Sequence, residues 1–310
     1  MSAVGNTGTS EWLRRCSLIV SDAAGNGLDL SQLHIQFKVG QSDLETPNNA
    51  YIRVYNLSEK TSKQIQKEFT QVTLQAGYVN GAFGIIHSGT IKQIRRGKFN
   101  NMDTYLDIMA ADTDIGLNFG VVNKTLAAGA KPSDQAQVYA NAMQAPIGFQ
   151  QYGVGDVALI RGKVMYGMAR DGMRNLARST GTTWSVQNGK VVVIPLTGYL
   201  PSEAVVLNSR TGLIGLPEQT QEGISATCLL NPKIQIGTQV QINNADIQRA
   251  QVNIDYTAFN VFPSIADDGF YRVLVCEHEG DTRGQPWYSK LVCLTVNPTV
   301  APNKAVQPYG

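Results

Sequence analysis

The sequence has little charge, and this shortage restricts the class of protein. Only 16% of the 310 residues are charged, and 26 basic residues nearly cancel 24 acidic ones, which leaves a net charge of +2. Such a balance gives no general electrostatic reason to bind nucleic acid or to insert into an anionic membrane. Because 43% of the residues are hydrophobic, we expect a folded globular protein of two or three domains.

Cysteine is also scarce, and the four cysteines lie far apart, at Cys16, Cys228, Cys276 and Cys293, with no CxxC pair. A secreted disulfide scaffold would be denser, so reduced thiols are expected. The first dozen residues are polar, and no apolar run approaches the about 20 residues that span a bilayer. We therefore expect a protein that is assembled in a cytoplasm.

Common catalytic and cofactor-binding motifs are missing as well. The chain contains no GxSxG, Walker or HExxH motif, and no GxGxxG sequence after a predicted strand. His34 and His87 lie within predicted strands, without a metal-ligand spacing, and are interpreted as packed or surface histidines. The sequence therefore predicts no cofactor and no metal site.

One nine-residue stretch, CEHEGDTRG from Cys276 to Gly284, nevertheless concentrates reactive side chains. Alternation along a strand would place the side chains on two opposite faces, with Arg272, Leu274, Cys276 and His278 on one and Tyr271, Val273, Val275, Glu277 and Glu279 on the other. The histidine and the glutamates would then diverge, so we interpret the stretch as a hairpin with a charged tip. Asp281 and Arg283 would pair within the loop or reach a neighbouring subunit. No catalytic residue is predicted.

Hydrophobic patterns predict two β-rich regions on either side of a mixed one. Period-2 alternation dominates the first region, with one short helix capped by Ser58. The middle region is predicted to hold helices over residues 131–144 and 163–181, followed by a hairpin at Asn188–Gly189. We expect a mainly β (α+β) fold with two antiparallel β-barrel domains. Its predicted parts are a flexible arm (1–14), the first barrel (15–115), a smaller mixed α/β domain (116–199), the second barrel (200–296) and an extended tail (297–310).

A basic stripe marks the second predicted helix. Arg170, Arg174 and Arg178 recur every four residues, opposite the predicted apolar face that begins at Met165 and Met168. The stripe could meet phosphates or an acidic partner. It is equally typical of the solvent-facing side of an amphipathic helix, and that interpretation is favoured.

The stretch TGLIGLPEQTQEGISATCLLNPKIQIGTQVQINN, from Thr211 to Asn244, resembles a block in the baseplate hub proteins of contractile-tailed bacteriophages. A Pro-Glu-x-Thr turn begins at Pro217, a Leu-Leu-Asn-Pro corner ends at Pro232, and Gly237 introduces a second strand. Further blocks look like the same family in the same order: TPNNAYIRVYNLSEKTSKQI, LQAGY with HSGTI, RGKVMYGMARDGMRNLA and FYRVLVCEHEGDTRG. The resemblance runs from about residue 30 to residue 296.

The resemblance implies a structural protein of the virion tail baseplate, with no catalytic residue to carry over. Hubs of this kind are trimers in which two barrel domains per chain form a pseudo-six-fold ring between the six-fold tail tube and the three-fold central spike. The implied partners are two further copies, the tail tube protein, the spike protein and other baseplate proteins. Because the chain ends at residue 310, without room for a lysozyme-like module, a separate spike protein is expected. The alternatives are a tail-associated cell-wall-degrading enzyme and the hub of a tailocin or secretion-type injection machine.

Overall fold

The computed structural model describes residues 13–22, 24–43, 46–153, 156–220, 222–248, 265–266 and 268–296. Eighteen β-strands and four α-helices lie in these ranges, so the fold is mainly β, as predicted. The described helices are all too short or too polar to cross a lipid bilayer. The predicted tail at 297–310, a predicted strand at 251–259 and residues 1–12 of the predicted arm lie outside the described residues.

The first part of the chain forms seven strands and one helix: β1 (Arg14–Ser21), β2 (Gly27–Asp29), β3 (Ile35–Ser42), β4 (Asn49–Tyr55), α1 (Glu59–Glu68), β5 (Gln71–Tyr78), β6 (Phe83–Lys98) and β7 (Thr104–Ala111). These strands pair antiparallel in the order β3-β4-β7-β6-β5-β1-β2. Ser58 caps α1 as predicted, because its hydroxyl accepts the backbone N–H of Thr61.

The middle part is mixed and contains three helices and five short strands: α2 (Asp114–Phe119), β8 (Val121–Leu126), α3 (Pro132–Ala142), β9 (Ile147–Gln150), β10 (Lys163–Met168), α4 (Ala169–Thr180), β11 (Thr182–Gln187) and β12 (Lys190–Pro195). Strands β8 and β10 form a two-stranded ribbon, and β11, β12 and β9 form a small sheet. The predicted turn between β11 and β12 is confirmed, with φ of 51° at Asn188 and 78° at Gly189.

The second predicted helix begins later than expected. Residues 163–168 form strand β10 and pair with β8 along their whole length, and α4 starts only at Ala169. The sequence KVMYGM fits a period of two as well as a helical one, and Gly167 has a φ of 118°, which a helix does not use. Met165 is therefore buried from a strand, whereas Met173 and Leu176 are buried from the helix.

The last part contributes six strands: β13 (Val205–Leu207), β14 (Leu213–Gln219), β15 (Ile224–Leu229), β16 (Gln239–Ile242), β17 (Phe270–Asp281) and β18 (Trp287–Leu294). Strand β17 pairs with β18 and β16, and also with β3 of the first part, from Val275 opposite Ser42 to Asp281 opposite Gln36. One 13-stranded sheet therefore runs through both β-rich parts of the chain.

Two separate closed barrels are not seen, because the strand pairings among the described residues form an open path. Strand β1 lies near the β17–β18 hairpin, and the contact between them is made by a side chain and not by backbone pairing. The guanidinium of Arg14 donates to the carbonyls of Gly284 (2.6 Å) and Gln285 (2.9 Å), and it lies 5.5 Å from the ring of Trp287. Arg14, the last residue of the predicted arm, is thus part of the sheet.

The buried apolar side chains form three clusters that follow the order of the chain. The first extends from Leu18 to Ala110 and also receives Leu230 and Trp287 from the last part. The second lies within the middle part, and the third is built from the last part between Leu207 and Cys293. Trp287 therefore belongs by sequence to the last part and by packing to the first, whereas Cys276 and Cys293 of the same hairpin lie in the third cluster.

A buried arginine joins all three parts. Arg272 of β17 is 1% exposed and donates to the Oδ2 atom of Asp43 (2.5 Å), which follows β3. It also donates to the hydroxyl of Thr183 (2.8 Å) and to the carbonyl of Pro195 (3.0 Å), both in the middle part. Burial raises the pKa of Asp43, and the charge of Arg272 opposes that shift. The arrangement can hold the three parts in one relative position.

Replacing Arg272 with methionine is expected to lower the free energy of unfolding by about 3–5 kcal/mol, because Asp43 would become a buried acceptor without its charged partner. Urea unfolding followed by tryptophan fluorescence measures the change. The matched control is Lys290→Met, which removes an exposed ion pair with Glu279 and should cost about 0–1 kcal/mol. Equal losses in the two variants would contradict the role given to Arg272.

Candidate functional site

Strand β17 carries the cluster of reactive side chains, and it separates them as the alternation predicts from Cys276 onward. Cys276 and His278 are buried, whereas Glu277 and Glu279 lie on the outer face. Earlier in the strand the predicted parity is wrong. A β-bulge lies between Val273 and Val275, so Val273 shares the third apolar cluster with Cys276. One extra residue shifts every side chain before it to the opposite face.

The buried side of β17 holds a short chain of polar groups. The Sγ atom of Cys276 lies 3.3 Å from Nε2 of His278, and Nδ1 of His278 lies 2.8 Å from the hydroxyl of Ser289. Burial lowers the pKa of His278 to about 4 and raises the pKa of Cys276 well above its usual value. At neutral pH the pair is a thiol and a neutral imidazole inside a packed core. It has neither the thiolate nor the access of a catalytic cysteine.

The other cysteines share this environment. Cys228 and Cys293 are buried in the same apolar cluster, and burial raises the pKa of Cys293. Cys16 lies in β1, where burial raises its pKa to about 12. Within the described ranges, no group of three or more His, Cys, Asp or Glu side chains is placed to hold a metal ion.

The outer side of β17 belongs to a row of ion pairs that crosses the large sheet. Lys290 of β18 lies 2.9 Å from Glu279, and Lys38 of β3 lies 2.9 Å from Glu277. Each pair joins neighbouring strands, so the carboxylates are engaged by lysines and do not converge on a common point. Cross-strand pairs of opposite charge stabilise a sheet without forming a reactive site.

A second group of charges lies farther along the same face. Asp107 of β7 is fully buried and accepts from Arg53 of β4 (2.7 Å) and Arg95 of β6 (3.0 Å). Burial would raise the pKa of Asp107, but the hydrogen bonds from the two arginines outweigh it, so the pKa is lowered. The guanidinium of Arg53 also stacks on Tyr105 at 4.2 Å. No sequence motif indicates this cluster, because its members come from three different strands.

The hairpin tip is organised by Asp281, though not through the predicted pairing with the side chain of Arg283. The carboxylate accepts from Nε2 of His34 (2.8 Å), from the amide of Gln36 (2.8 Å) and from the backbone N–H groups of Arg283 and Gly284. Burial opposes ionisation, but these donors lower the pKa of Asp281. Asp281 therefore fixes the tip against β3. Both of its carboxylate oxygens accept hydrogen bonds from the protein, so the side chain is not available as a catalytic acid or base.

The remaining residues that the sequence singled out are either buried or in contact with neighbouring side chains. His87 is 2% exposed, and its Nε2 atom has no hydrogen-bond partner among the described residues. The basic stripe lies on α4, where the Arg174 guanidinium contacts Asp171 at 2.9 Å and Arg170 donates to Asn118 at 3.3 Å.

An open pocket of about 380 Å³ lies beside β13 and β16 and is lined by residues 206–208, 241–244, 268 and 269. Among the described residues of that lining, Asp268 is the one that titrates.

The buried histidines are expected to make the protein sensitive to acid. Burial lowers the pKa of both His87 and His278 to about 4, whereas an unfolded histidine titrates near 6.5. The unfolded state therefore binds more protons between pH 6.5 and 4. The free energy of unfolding should fall as the pH drops through that window, by up to about 3 kcal/mol per histidine.

The variant His87→Phe isolates one contribution. Its free energy of unfolding, measured by urea titration at several pH values, should depend less on pH between 6.5 and 4 than that of the wild type. Asp112, whose pKa is raised to about 6 by burial, acts in the opposite direction but equally in both proteins. Parallel curves for variant and wild type would show that His87 does not titrate as expected.

Solved structures share this fold at low sequence identity. A tail protein from Neisseria meningitidis superposes with a TM-score of 0.59 at 10% identity, over 91% of this chain and 96% of that one. The 43 kDa tail protein of prophage MuSo2 from Shewanella oneidensis gives 0.56 at 7% identity, over 91% and 96%. The E. coli c3393 protein, a component of the type VI secretion system, gives 0.51 at 9% identity, over 86% and 74%. At these identities the likeness shows the fold alone.

Sequence comparison identifies the family. No curated protein sequence matches the chain. A family model described as baseplate hub gp41 matches residues 17–261, which is most of the chain, and it confirms the resemblance seen in the sequence. The chain therefore belongs to the baseplate hub gp41 family, among the structural proteins of bacteriophage tail baseplates.

Proposed function

We propose that the protein is a structural baseplate hub that works as a homotrimer and joins the six-fold tail tube to the three-fold central spike. The observation that carries this proposal is the family match over residues 17–261. The partners are then two further copies, the tube protein, the spike protein and other baseplate proteins. Assembly takes place in the cytoplasm of the host bacterium, and the finished hub lies in the virion tail.

The symmetry argument rests on two β-rich units per chain. Three copies of a single unit would present three equivalent surfaces to six tube subunits, whereas three copies of two units present six. The first and third apolar clusters are each built mainly from one β-rich part, with Leu230 and Trp287 of the last part added to the first cluster, and this supports the proposed division at residues 15–115, 116–199 and 200–296. The ladder between β17 and β3 fixes the two units relative to each other.

The surroundings of the candidate residues favour a non-enzymatic role. A cell-wall hydrolase that acts on glycosidic bonds needs two carboxyl groups about 5–9.5 Å apart in an open cleft. Here Glu277 and Glu279 are engaged by lysines, and Asp281 is enclosed by four donors. The reactive pair of Cys276 and His278 is buried. The alternative is a hub of a tailocin or of a secretion-type injection machine, since a component of the type VI secretion system shares the fold.

The proposed oligomer has a direct test. Sedimentation equilibrium of the purified protein should give three times the chain mass of 33.6 kDa, because a hub must match a three-fold spike. Electron microscopy of the hub with its spike should show a ring of six similar units. A dimer or a true hexamer in solution, or a ring without alternating units, would contradict the adaptor role.

Catalysis has a separate test. The purified hub is expected to leave peptidoglycan intact, because its carboxylates and its cysteine–histidine pair are occupied or buried. Release of soluble muropeptides measures lysis, with an added lysozyme sample as the positive control. Lysis by the hub alone that disappears in Glu277→Gln or Glu279→Gln would establish an enzyme and refute a purely structural role.

A further inference from the structure

The β11–β12 hairpin of the middle part is buried on both faces, and the two faces differ in character. One face points into the middle apolar cluster and consists of Trp184, Val186, Val191 and Val193. The residues that alternate with them point to the opposite side. This second face, which we call the docking face, is at most 8% exposed at each of its members, Thr183, Ser185, Gln187, Val192 and Ile194.

The docking face meets the last part of the chain mainly through hydrogen bonds. The hydroxyl of Thr183 accepts from Arg272 (2.8 Å), and the amide of Gln187 donates to the carbonyl of Ile236 (3.2 Å). Ile194 adds an apolar contact with the glycine that follows Ile236. Among the described residues, no apolar cluster combines side chains of the middle part with those of either β-rich part.

Two further hydrogen bonds hold the hairpin from the side of the first part. Asn48, just before β4, donates to the carbonyl of Val186 (2.6 Å). The carboxylate of Asp112, just after β7, accepts the backbone N–H of Gly189 (2.7 Å). Asp112 is 1% exposed, and burial raises its pKa to about 6. The contact therefore encloses a carboxylate that water would otherwise stabilise at neutral pH.

The chain enters the middle part through a strained residue. Thr113 has a φ of 48°, a left-handed conformation that is unfavourable for a β-branched side chain. Its hydroxyl donates to Asp112, so the strained residue and the hairpin turn share one anchor. The chain leaves through residues 196–204, all of them described and none in a helix or strand. Both connections can change direction without breaking the large sheet.

We propose that the middle part is a mobile unit that undocks as a whole from the large sheet. The docking face separates from the β-rich parts, while the opposite face of the hairpin stays packed in the middle cluster and Arg272 keeps its bond to Asp43. Hydrogen bonds between the parts can be exchanged for bonds to water, so such an interface opens at less cost than an apolar one. Undocking also returns Asp112 to water and lets Thr113 leave its unfavourable conformation.

Movement of this kind goes beyond the structural role proposed above. In an assembled hub the two β-rich parts would keep their places, because the ladder between β17 and β3 joins them. The middle part would change position against them and would carry its exposed residues Val121, Val164 and Tyr166 with it. This consequence rests on the proposed function, whereas the undocking rests on the contacts within one chain.

Neighbouring residues of β11 test the undocking, because Ser185 lies on the docking face and Val186 lies in the middle cluster. The variants Ser185→Cys and Val186→Cys are treated with a thiol reagent under native conditions, and labelling is followed by peptide mass spectrometry. Undocking exposes position 185 alone, so we expect it to be labelled at least about tenfold faster than position 186. Cys276 and Cys293, in the third cluster, report global unfolding in the same sample.

Equal labelling rates at positions 185 and 186 would overturn the proposal, since the docking face would then open only when the middle part unfolds. Circular dichroism confirms that each variant remains folded. The labelling does not depend on the oligomer. A trimer with equal rates would refute the undocking alone, and a monomer labelled selectively at position 185 would refute the trimer alone.

Removing one hydrogen bond across the interface should make undocking more frequent. Thr183→Val deletes the hydroxyl that accepts from Arg272, and it should raise the labelling rate at position 185 about tenfold while the rate at position 186 stays the same. The matched control is Thr182→Val, whose hydroxyl contacts Thr180 within the middle part, and the rate at position 185 should not change. Equal rates at position 185 in the two variants would contradict the role of the docking face.

Discussion

The buried contact between Arg272 and Asp43 constrains the rest of the structure, because it is made by all three parts of the chain at once. A guanidinium loses several kcal/mol of hydration in a protein interior, and a charged partner with further acceptors offsets much of that loss. Here the two terminal nitrogens of the guanidinium donate to Asp43, which follows β3, to Thr183 of β11 and to the carbonyl of Pro195 at the end of β12. A slip of β17 against β3 would leave the charge unpaired, so the contact fixes the register of the ladder that unites the large sheet.

Local patterns predicted the elements whose causes are local. The cap at Ser58 and the turn at Asn188–Gly189 depend on a few neighbouring residues, and both are confirmed. Residues 163–168 were predicted as helix because KVMYGM satisfies two periods, and only the partner strand β8 decides between them. The ladder between β17 and β3 joins residues more than 200 positions apart, and no pattern within either strand specifies it.

In the candidate site, too, local features could be predicted from the sequence and long-range contacts could not. Alternation correctly separated His278 from its flanking glutamates, but it could not reveal the bulge near Leu274, since an inserted residue leaves no mark on composition or spacing. It also could not show that Asp281 meets His34 and that Arg14 reaches the same hairpin tip. These contacts turn a stretch that resembles an active site into an anchor between the first and last parts of the chain.

Charge placement distinguishes surfaces that the chain satisfies by itself from surfaces that it leaves open. On the outer face of the large sheet, Lys290, Glu279, Glu277 and Lys38 are paired within the chain. A molecule that docked there would have to disrupt existing pairs and would gain little. The outer face of the β8–β10 ribbon differs, because Val121, Val164 and Tyr166 are exposed there and covering them would remove apolar surface from water. The near-zero net charge of the chain therefore includes many opposite charges that pair internally across neighbouring strands.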